Sequence, residues 1–442
     1  MDIINVGGST CLPEAKAIVK QVSSVEMMKE PDEVLDIDGH KIVPWGQNNT
    51  MPQDVMSKIE KCEIVGANIK FNIDTGYGQS VRPYRRIKDG NNYRYDEILE
   101  GEVYEFFQDN DIDLYFLEQL TDLNTFFNVF PEIILSKDLS KITTLRSKEA
   151  AFSRWGAMDP KAGRIIKHYY SAKWDDNPTI KDMVISDVLD KYNPLRDLQQ
   201  RIDERKIKVP RFIVPVFFPT PGKTYYQRSY WWSIFLSGWY DFIMMIPTFK
   251  KAILKNQMSV KYIIYISDKY WDYLFDAENI DPTDKEAVID RKNKEHNAFQ
   301  DFLTGESNAG KGMIALKKMV NSASGSAEEK FIEIVPIKSD LKGGEYVEDS
   351  QEGASMISYA MGVNTSLISN LKSANNLSGT DKREMFQMKQ AVMAPFRDRL
   401  FKPLHLIRRF NGWGEDVVFK VPDFNFTTLD ENKSGSKLNT EE

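Results

Sequence analysis

Residues 305–313, GESNAGKGM, come closest to a segment that could bind a nucleotide. Gly305, Gly310 and Lys311 match the G-x-x-x-x-G-K pattern of a phosphate-binding loop. The motif continues with a serine or threonine that holds magnesium, but Gly312 stands there. A helix is predicted before the segment and a strand after it, whereas phosphate binding needs a helix N-terminus after the loop. The pattern favours a plain glycine turn, and a nucleotide-dependent DNA-processing enzyme remains an alternative.

The residues that could ligate a metal or act in catalysis are scattered along the chain. The four histidines and two cysteines are His40, His168, His296, His405, Cys11 and Cys62. No two histidines share an HxxxH spacing, and the acidic pairs lack a neighbouring histidine or lysine in a catalytic arrangement. We therefore expect no catalytic residue, no metal site, no cofactor and no enzyme activity. Two cysteines in so long a chain favour a reducing compartment.

The composition indicates a folded protein that does not grip nucleic acid. The chain has 442 residues, of which 41% are hydrophobic and 12% aromatic, and its formal net charge is −7. A protein that holds DNA by its phosphates needs a basic surface, so the charge argues against tight binding. The N-terminus lacks the basic and apolar regions of a signal peptide, and we expect none.

Residues 231–249, WWSIFLSGWYDFIMMIPTF, are almost long enough to cross a bilayer. Asp241 lies within the stretch, Pro247 lies near its end, and lysines follow it. A membrane-associated channel is therefore an alternative, and a helix covered by protein on all sides is the favoured interpretation.

The order of helical and extended patterns predicts an α+β fold. Apolar residues recur at three and four residues in 51–80, 94–125, 225–257 and 282–304, which indicates helices. Residues 128–155, 163–174 and 208–218 are typical of strands joined by turns, as are 259–266, 312–319 and 329–337. The segment NSASGSAEE between the last two is predicted to be a turn.

The most unusual segment follows a short helix rich in small residues, EDSQEGASMISYAMG, in which Gly362 is the predicted stop. Small side chains such as Gly353 allow another helix to approach closely. Residues 364–379 then form a long polar loop with a single charge, Lys372. Loops of this length without structure of their own are usually functional.

A long helix is predicted after this loop. Ser378 and Asp381 have the spacing of a capping box at its start. Pro395 and Pro403 lie inside the helix and should bend it, because proline removes a backbone hydrogen bond. A strand and a polar tail over 431–442, predicted to be disordered, complete the chain.

This order of parts resembles the core of tailed-bacteriophage portal proteins. The segments that carry the resemblance are the helix ending at Gly362-Val363, the loop over 364–379 and the helix broken at Pro395 and Pro403. Upstream, NVFPEIILSKD and GRIIKHYYSAKW resemble the strand-rich wing of that family, and AGKGMIALKK resembles the strand before its second stem helix.

The resemblance implies a portal fold with a strand-rich wing, a two-helix stem, a small α/β clip and a proline-kinked wing helix. The implied parts are the N-terminal wing (1–225), stem helix 1 (226–257), the clip (258–346), stem helix 2 (347–363), the tunnel loop (364–379), and the kinked wing helix with a wing strand (380–430). Many relatives have a helical crown after the wing, but here about thirty residues follow Gly412, so we expect little or no crown.

The resemblance also assigns roles to residues. The tunnel loop would face DNA with Asn364, Thr365, Ser366, Ser369, Asn370, Lys372, Ser373, Asn375, Asn376 and Ser378. The stems would pack between subunits through Trp231, Trp232, Phe235, Trp239, Ala354, Ile357 and Ser358. The clip would present Lys311, Lys317 and Lys318 to a partner.

The implied function is a homo-oligomeric ring, usually a dodecamer, at the unique capsid vertex. Double-stranded DNA would be packaged through it by a terminase motor and later ejected. The implied partners are other copies of the chain, the DNA in transit, the terminase large subunit, the major capsid protein and a head–tail adaptor, with no membrane. The implied location is the virion, and the host cytoplasm during assembly.

Overall fold

The computed structural model describes residues 4–6, 9–12, 17–20, 34–176, 178–257, 262–304, 318–322, 325–329, 331–336, 346–368 and 379–422. These residues form a mixture of helices and mostly antiparallel sheets, which confirms the predicted α+β class. The chain divides into two compact units. The larger unit comprises Met1–Met244 and Asp349–Glu442, and the smaller comprises Met245–Glu348.

The helices and strands are numbered here in chain order. The helices are α1 (Met51–Lys61), α2 (Glu63–Tyr77), α3 (Glu102–Asp109), α4 (Ile112–Phe126), α5 (Pro194–Asp203), α6 (Ser233–Leu236), α7 (Trp239–Gln257), α8 (Asp268–Glu278), α9 (Lys285–Thr304), α10 (Val347–Ala360), α11 (Thr365–Ile368), α12 (Gly379–Val392), α13 (Ala394–Leu400) and α14 (Lys402–Phe410). The strands are β1 (Ile4–Val6), β2 (Ser9–Leu12), β3 (Ala17–Lys20), β4 (Leu35–Ile37), β5 (His40–Ile42), β6 (Arg82–Asp89), β7 (Asn92–Glu97), β8 (Asn128–Leu135), β9 (Ile142–Lys148), β10 (Ser153–Trp155), β11 (Lys167–Tyr170), β12 (Val184–Val188), β13 (Arg211–Ile213), β14 (Val216–Phe217), β15 (Tyr262–Ile266), β16 (Lys318–Ser322), β17 (Gly325–Glu329), β18 (Ile332–Pro336) and β19 (Val417–Lys420).

A seven-stranded sheet supports the larger unit. Its strand order is β10-β11-β12-β13-β8-β14, and β9 pairs with β8. Strand β8 is buried at almost every position, because α4 packs on it and contributes Leu120 and Leu123 to the same core as Ile133. Leu404 and Ile407 of α14 join this core. The C-terminal helices are thus anchored on a sheet formed far earlier in the sequence.

The smaller unit has its own pairings. Strand β15 is antiparallel to β18, with Ile264 opposite Ile334, and β16 is antiparallel to β17. Helices α8 and α9 are joined by Arg291, whose guanidinium contacts Glu278 at 2.6 Å and Glu295 at 2.8 Å. The pair with Glu278 links the two helices, and the pair with Glu295 lies within α9.

Several predicted boundaries are wrong for local reasons. Residues 225–257 do not form one helix, because Gly238 has a φ of +85° and separates α6 from α7. The stretch 94–125 begins as the strand β7 before α3 starts. The turn predicted in NSASGSAEE contains the strand β17. Helix α8 had not been predicted at all.

Arg154 lies at the centre of the β10 region and is fully buried. Its guanidinium donates to four oxygen atoms: Asn49 Oδ1, Asn49 O at 2.9 Å, Ala151 O at 2.9 Å and Ser153 O at 2.8 Å. The ring of Trp174 lies 5.1 Å from the guanidinium carbon. Burial lowers the pKa of Arg154 to about 10. The arginine therefore holds the turn before α1 against the sheet through carbonyl groups.

His168 on β11 is another buried polar residue, and it is packed like an apolar one. Its ring lies 5.2 Å from that of Phe130 and 5.7 Å from that of Trp155. Among the described residues neither ring nitrogen has a hydrogen-bond partner. Burial, with a smaller effect from Lys148, lowers the pKa of His168 to about 3. The imidazole is therefore neutral at physiological pH.

This depressed pKa predicts acid sensitivity. An unfolded histidine binds its proton near pH 6.5, while folded His168 resists protonation until about pH 3. The unfolded state therefore gains protons first, and the stability contributed by neutral His168 is lost as the pH falls from about 6.5 to about 3. We expect His168→Phe to lose less stability than the wild type between pH 7 and pH 4 in urea unfolding. His296→Phe, at an exposed histidine, is the control and should follow the wild type. Equal losses in all three proteins would contradict the prediction.

Candidate oligomer interface and loop anchor

Helix α7 has one face buried in its own chain and another exposed. Tyr240, Ile243 and Ile246 are buried at successive three-residue steps. Phe242, Met245 and Phe249 follow one another at three and four residues, and are 38%, 67% and 50% exposed. The expectation of a helix covered on all sides is thus not met within one chain. Large exposed apolar side chains in a row indicate a surface that another molecule covers.

Helix α10 packs against α7 at unusually short distance because of Gly353. A Cβ atom at this position would lie 2.5 Å from Cδ1 and 2.8 Å from Cγ1 of Ile243. Any larger residue at this position would require the side chain of Ile243 to shift. The close approach that small residues allow is therefore observed at Gly353 within one chain, as in ordinary core packing. The opposite side of α10 exposes Met356 and Tyr359.

The residues predicted to pack between stems occupy different environments. Four of them, Trp231, Ala354, Ile357 and Ser358, are buried within their own chain. Trp232, Phe235 and Trp239 are partly buried, in a cluster where Lys58 Nζ lies 4.4 Å from the ring of Phe235. Trp231 donates from Nε1 to the carbonyl of Asn124 at 3.0 Å. Subunit packing by these seven residues remains a prediction.

These exposed apolar residues were not predicted: Leu236, Phe242, Met356 and Tyr359 in the larger unit, and Met245 and Phe249 in the smaller unit. The sequence did contain a signal for the exposed row of α7, because Phe242, Met245 and Phe249 follow one another at three and four residues. This row is offset by one position from the buried row of Tyr240, Ile243 and Ile246. Composition alone did not separate the two rows, because both are apolar.

The end of α10, where the polar loop begins, is built as a firm stop. Gly362 has a φ of +64°, its N–H donates to Tyr359 O at 3.0 Å, and the N–H of Val363 donates to Ser358 O at 2.9 Å. This pair of bonds is a Schellman motif. The predicted stop at Gly362 is therefore confirmed.

Three side chains from other helices fasten this helix end. Asn68 Nδ2 donates to Ser358 Oγ at 3.2 Å, and Asn72 Nδ2 donates to Met361 O at 3.1 Å. Lys389 Nζ donates to Gly362 O at 2.8 Å. Burial lowers the pKa of Lys389 to about 8, while its charge is favourably placed at a helix C-terminus. Because Lys389 follows the loop in sequence, its bond ties together the chain on both sides of the loop.

The predicted long helix after the loop is divided into α12, α13 and α14. Pro395 and Pro403 each lie at the second position of a new segment, where a missing N–H costs little. The interruption at both prolines is confirmed. Met393 and Phe401, the residues between segments, are 2% and 7% exposed. Arg397 of α13 donates to the carbonyl of Gly76 at 2.9 Å, at the end of α2.

Only part of the predicted loop and clip surface lies in the described residues. Asn364 is exposed, and Thr365 and Ser366 belong to the helical turn α11, so the loop does not begin as irregular chain. The other predicted loop residues fall in 369–378, outside the described residues: Ser369, Asn370, Lys372, Ser373, Asn375, Asn376 and Ser378. Lys318 begins β16. Lys311 and Lys317, like the whole glycine pattern of 305–313, lie outside the described residues.

Within the residues that the structure describes, no group of histidine, cysteine, aspartate and glutamate could hold a metal ion. Over the same part of the chain, every helix is too short or too polar to cross a membrane.

Comparisons with known proteins give structural likenesses and no sequence family. Neither a protein-family model nor a curated protein matches the chain. A chain from the neck of an empty gene transfer agent (GTA) particle, computed with C6 symmetry, matches 90% of this chain and 88% of its own length, with a TM-score of 0.53 and 14% identity.

Two further solved structures give the same result. A chain from the neck of the native GTA particle, computed with C12 symmetry, covers 84% of both chains with a TM-score of 0.50 and 14% identity. A chain from the virion of the native GTA particle covers 88% of this chain and 85% of its own, again with a TM-score of 0.50 and 14% identity. The predicted resemblance to phage portal proteins is thus confirmed at the level of the fold: this chain has the fold of chains from the neck of a phage-like particle.

Proposed function

We propose that the protein is the subunit of a portal ring through which double-stranded DNA enters and leaves a virion. The observation that carries the proposal is the shared fold over 84% of the chain with a chain from a neck computed with C12 symmetry. The subunit is a structural component and not an enzyme. It assembles as a dodecamer at the unique capsid vertex, after synthesis in the host cytoplasm.

The two helices α7 and α10 supply the surface for ring closure. Their exposed apolar side chains would be covered by the corresponding helices of neighbouring copies, as expected for stems around a channel. Closure of the ring then leaves no apolar edge facing water. The bond from Lys389 to Gly362 fixes the chain on both sides of the tunnel loop, so that the loop is carried by a rigid frame.

The charge of the chain suits a channel that lets DNA slide. Each phosphate neutralised by a lysine or arginine strengthens adhesion, and strong adhesion would stop transport. Twelve copies at −7 each carry −84 in total, so the ring as a whole repels the duplex. The tunnel loop, with its hydroxyl and amide side chains, would touch DNA weakly by hydrogen bonds.

The external partners follow from this arrangement. The clip, 258–346, would face the terminase large subunit during packaging and a head–tail adaptor afterwards. The wing would contact the major capsid protein. The parts named wing, stem, clip and tunnel loop belong to this proposal.

Electron microscopy of the purified protein tests the ring, and shortening the loop tests the channel. We expect negatively stained particles with a central hole, and a strict monomer at all concentrations would contradict the proposal. Deletion of 366–377 should leave rings intact but reduce the nuclease-protected DNA in particles, because the loop contacts the duplex and not the neighbouring copy. A Gly/Ser segment of equal length is the control for chain connectivity. Lost rings with normal packaging would show that the loop has another role.

A further inference from the structure

The hairpin of β6 and β7 is a basic and aromatic surface on an acidic protein. Residues 82–97 contain five basic and three acidic side chains, while the whole chain has a net charge of −7. In the antiparallel register Arg86 lies opposite Tyr95 and Lys88 opposite Tyr93, so these four side chains share one face. We name this set, Arg86, Lys88, Tyr93 and Tyr95, the hairpin face.

The tyrosines of the hairpin face are exposed and held in place by cations. Tyr93 is 54% exposed and Tyr95 is 40% exposed. The guanidinium carbon of Arg86 lies 5.1 Å from the Tyr93 ring, and Lys420 Nζ lies 3.6 Å from the Tyr95 ring. Such cation–π contacts orient an aromatic side chain without burying it. The rings are thus preorganised for contact with a partner.

Among the described residues, the ion pairs that attach the hairpin to the rest of the larger unit lie at its base. Arg82 pairs with Asp113 at 2.9 Å, and Arg85 pairs with Asp416 at 3.2 Å. All residues from Arg85 to Tyr95 are exposed on both faces. Strand β7 lies at the edge of its three-stranded sheet, since the order is β19-β6-β7. An exposed strand edge with exposed tyrosines is a surface suited to pairing with another chain.

Exposed acidic and leucine side chains follow directly in the sequence, on α3 and α4. Residues 98–136 contain nine acidic side chains and no lysine or arginine. On α3, Glu105 and Asp109 are exposed at a four-residue spacing. On α4, Leu114, Leu117 and Glu118 are exposed on one face. We name these five residues the acidic face.

We propose that the hairpin face of one copy docks on the acidic face of the next copy, and this inference rests on the ring of the proposed function. A closed ring of identical subunits needs two different surfaces that complement each other. The hairpin face offers cations and aromatic rings, and the acidic face offers carboxylates and exposed leucines. The leucines of the acidic face indicate that a protein covers it. Leu114 and Leu117 can make apolar contacts with the tyrosines of the hairpin face, whereas a phosphate backbone would offer them none.

Charge reversal tests this contact. The variant Arg86→Glu/Lys88→Glu brings like charges together in every contact, as does the variant Glu105→Lys/Asp109→Lys. Each should raise the concentration at which half of the protein is in rings by about tenfold or more, measured by mass photometry. An equal mixture of the two variants should recover rings. When the two variants alternate around the ring, the acidic hairpin of one variant meets the basic α3 surface of the other, and the two unchanged surfaces meet at the next contact. Lys137→Glu/Lys161→Glu, at two other exposed lysines, is the control and should assemble normally.

The outcomes separate this inference from the proposed function. Normal rings in both reversed variants would overturn the docking proposal while leaving the portal proposal intact. Failure of the wild type to form rings would overturn both. If the variant with the reversed hairpin assembles normally but loses binding to a fluorescent DNA duplex, the hairpin face is a nucleic-acid surface and the docking proposal is wrong. Thermal unfolding of each variant should remain unchanged, because all four substituted positions are exposed.

Discussion

Replacement of Arg154 by methionine should lower the free energy of unfolding by about 3–5 kcal/mol. Methionine fills part of the same volume but donates no hydrogen bond. The carbonyl groups of Asn49, Ala151 and Ser153 would then lie in the interior without these donors. Each buried acceptor that loses its partner costs about 1–3 kcal/mol, and removal of a buried charge returns part of this cost.

Urea unfolding at pH 7 of the wild type, Arg154→Met and Arg146→Met would measure the effect. Arg146 is exposed, so its substitution controls for the loss of one positive charge and should change stability by less than about 0.5 kcal/mol. If Arg154→Met lowers the free energy of unfolding no more than Arg146→Met does, the four hydrogen bonds of Arg154 are replaced by others. The turn before α1 would then not depend on them.

Replacement of Gly353 by leucine should separate α7 from α10 and lower the free energy of unfolding by about 3 kcal/mol. Even the first side-chain carbon would lie 2.5 Å from Cδ1 of Ile243, and leucine adds three more carbons. Alanine should have a much smaller effect, because its helix propensity is about 1 kcal/mol better than that of glycine and offsets part of the clash.

Glu352→Leu is the matched control for this series, since it places the same side chain at an exposed position of the same helix. Urea unfolding gives the stability, and electron microscopy of the same samples shows whether rings persist at concentrations where the subunit is folded. A folded Gly353→Leu subunit that forms no rings would link the helix pair to assembly. Wild-type stability in this variant would mean that Ile243 moves away freely and that the close packing is unimportant.

The sequence predicted the parts of this protein that depend on local chemistry. Helix α10, its stop at Gly362 and the breaks at Pro395 and Pro403 were predicted correctly, because glycine and proline restrict the backbone wherever they occur. Strands β8 and β9 were predicted from β-rich runs and turn residues. The portal-like fold was recognised from the order of these parts.

The candidate site was harder to predict because its contacts join distant residues. Lys389 and Gly362 are 27 residues apart, Asn68 and Ser358 are 290 apart, and neither bond leaves a sequence pattern. The exposed row of α7 could not be told from the buried row, since both consist of large apolar residues. The sequence pattern predicted a continuous helix through Gly238. The positive φ that interrupts it depends on how the following helix packs, and this leaves no mark in the sequence.

The joints of the C-terminal helix have a mechanical consequence. A hinge must be free to change its dihedral angles, yet Met393 and Phe401 are enclosed by the core, and Phe401 stacks on Phe116 with ring centroids 6.1 Å apart. Bending at either joint would pull these side chains out of their packing, at a cost comparable to a large core deletion. The two prolines therefore set a permanent curvature in this helical segment, and the packing of Met393 and Phe401 keeps both joints stiff.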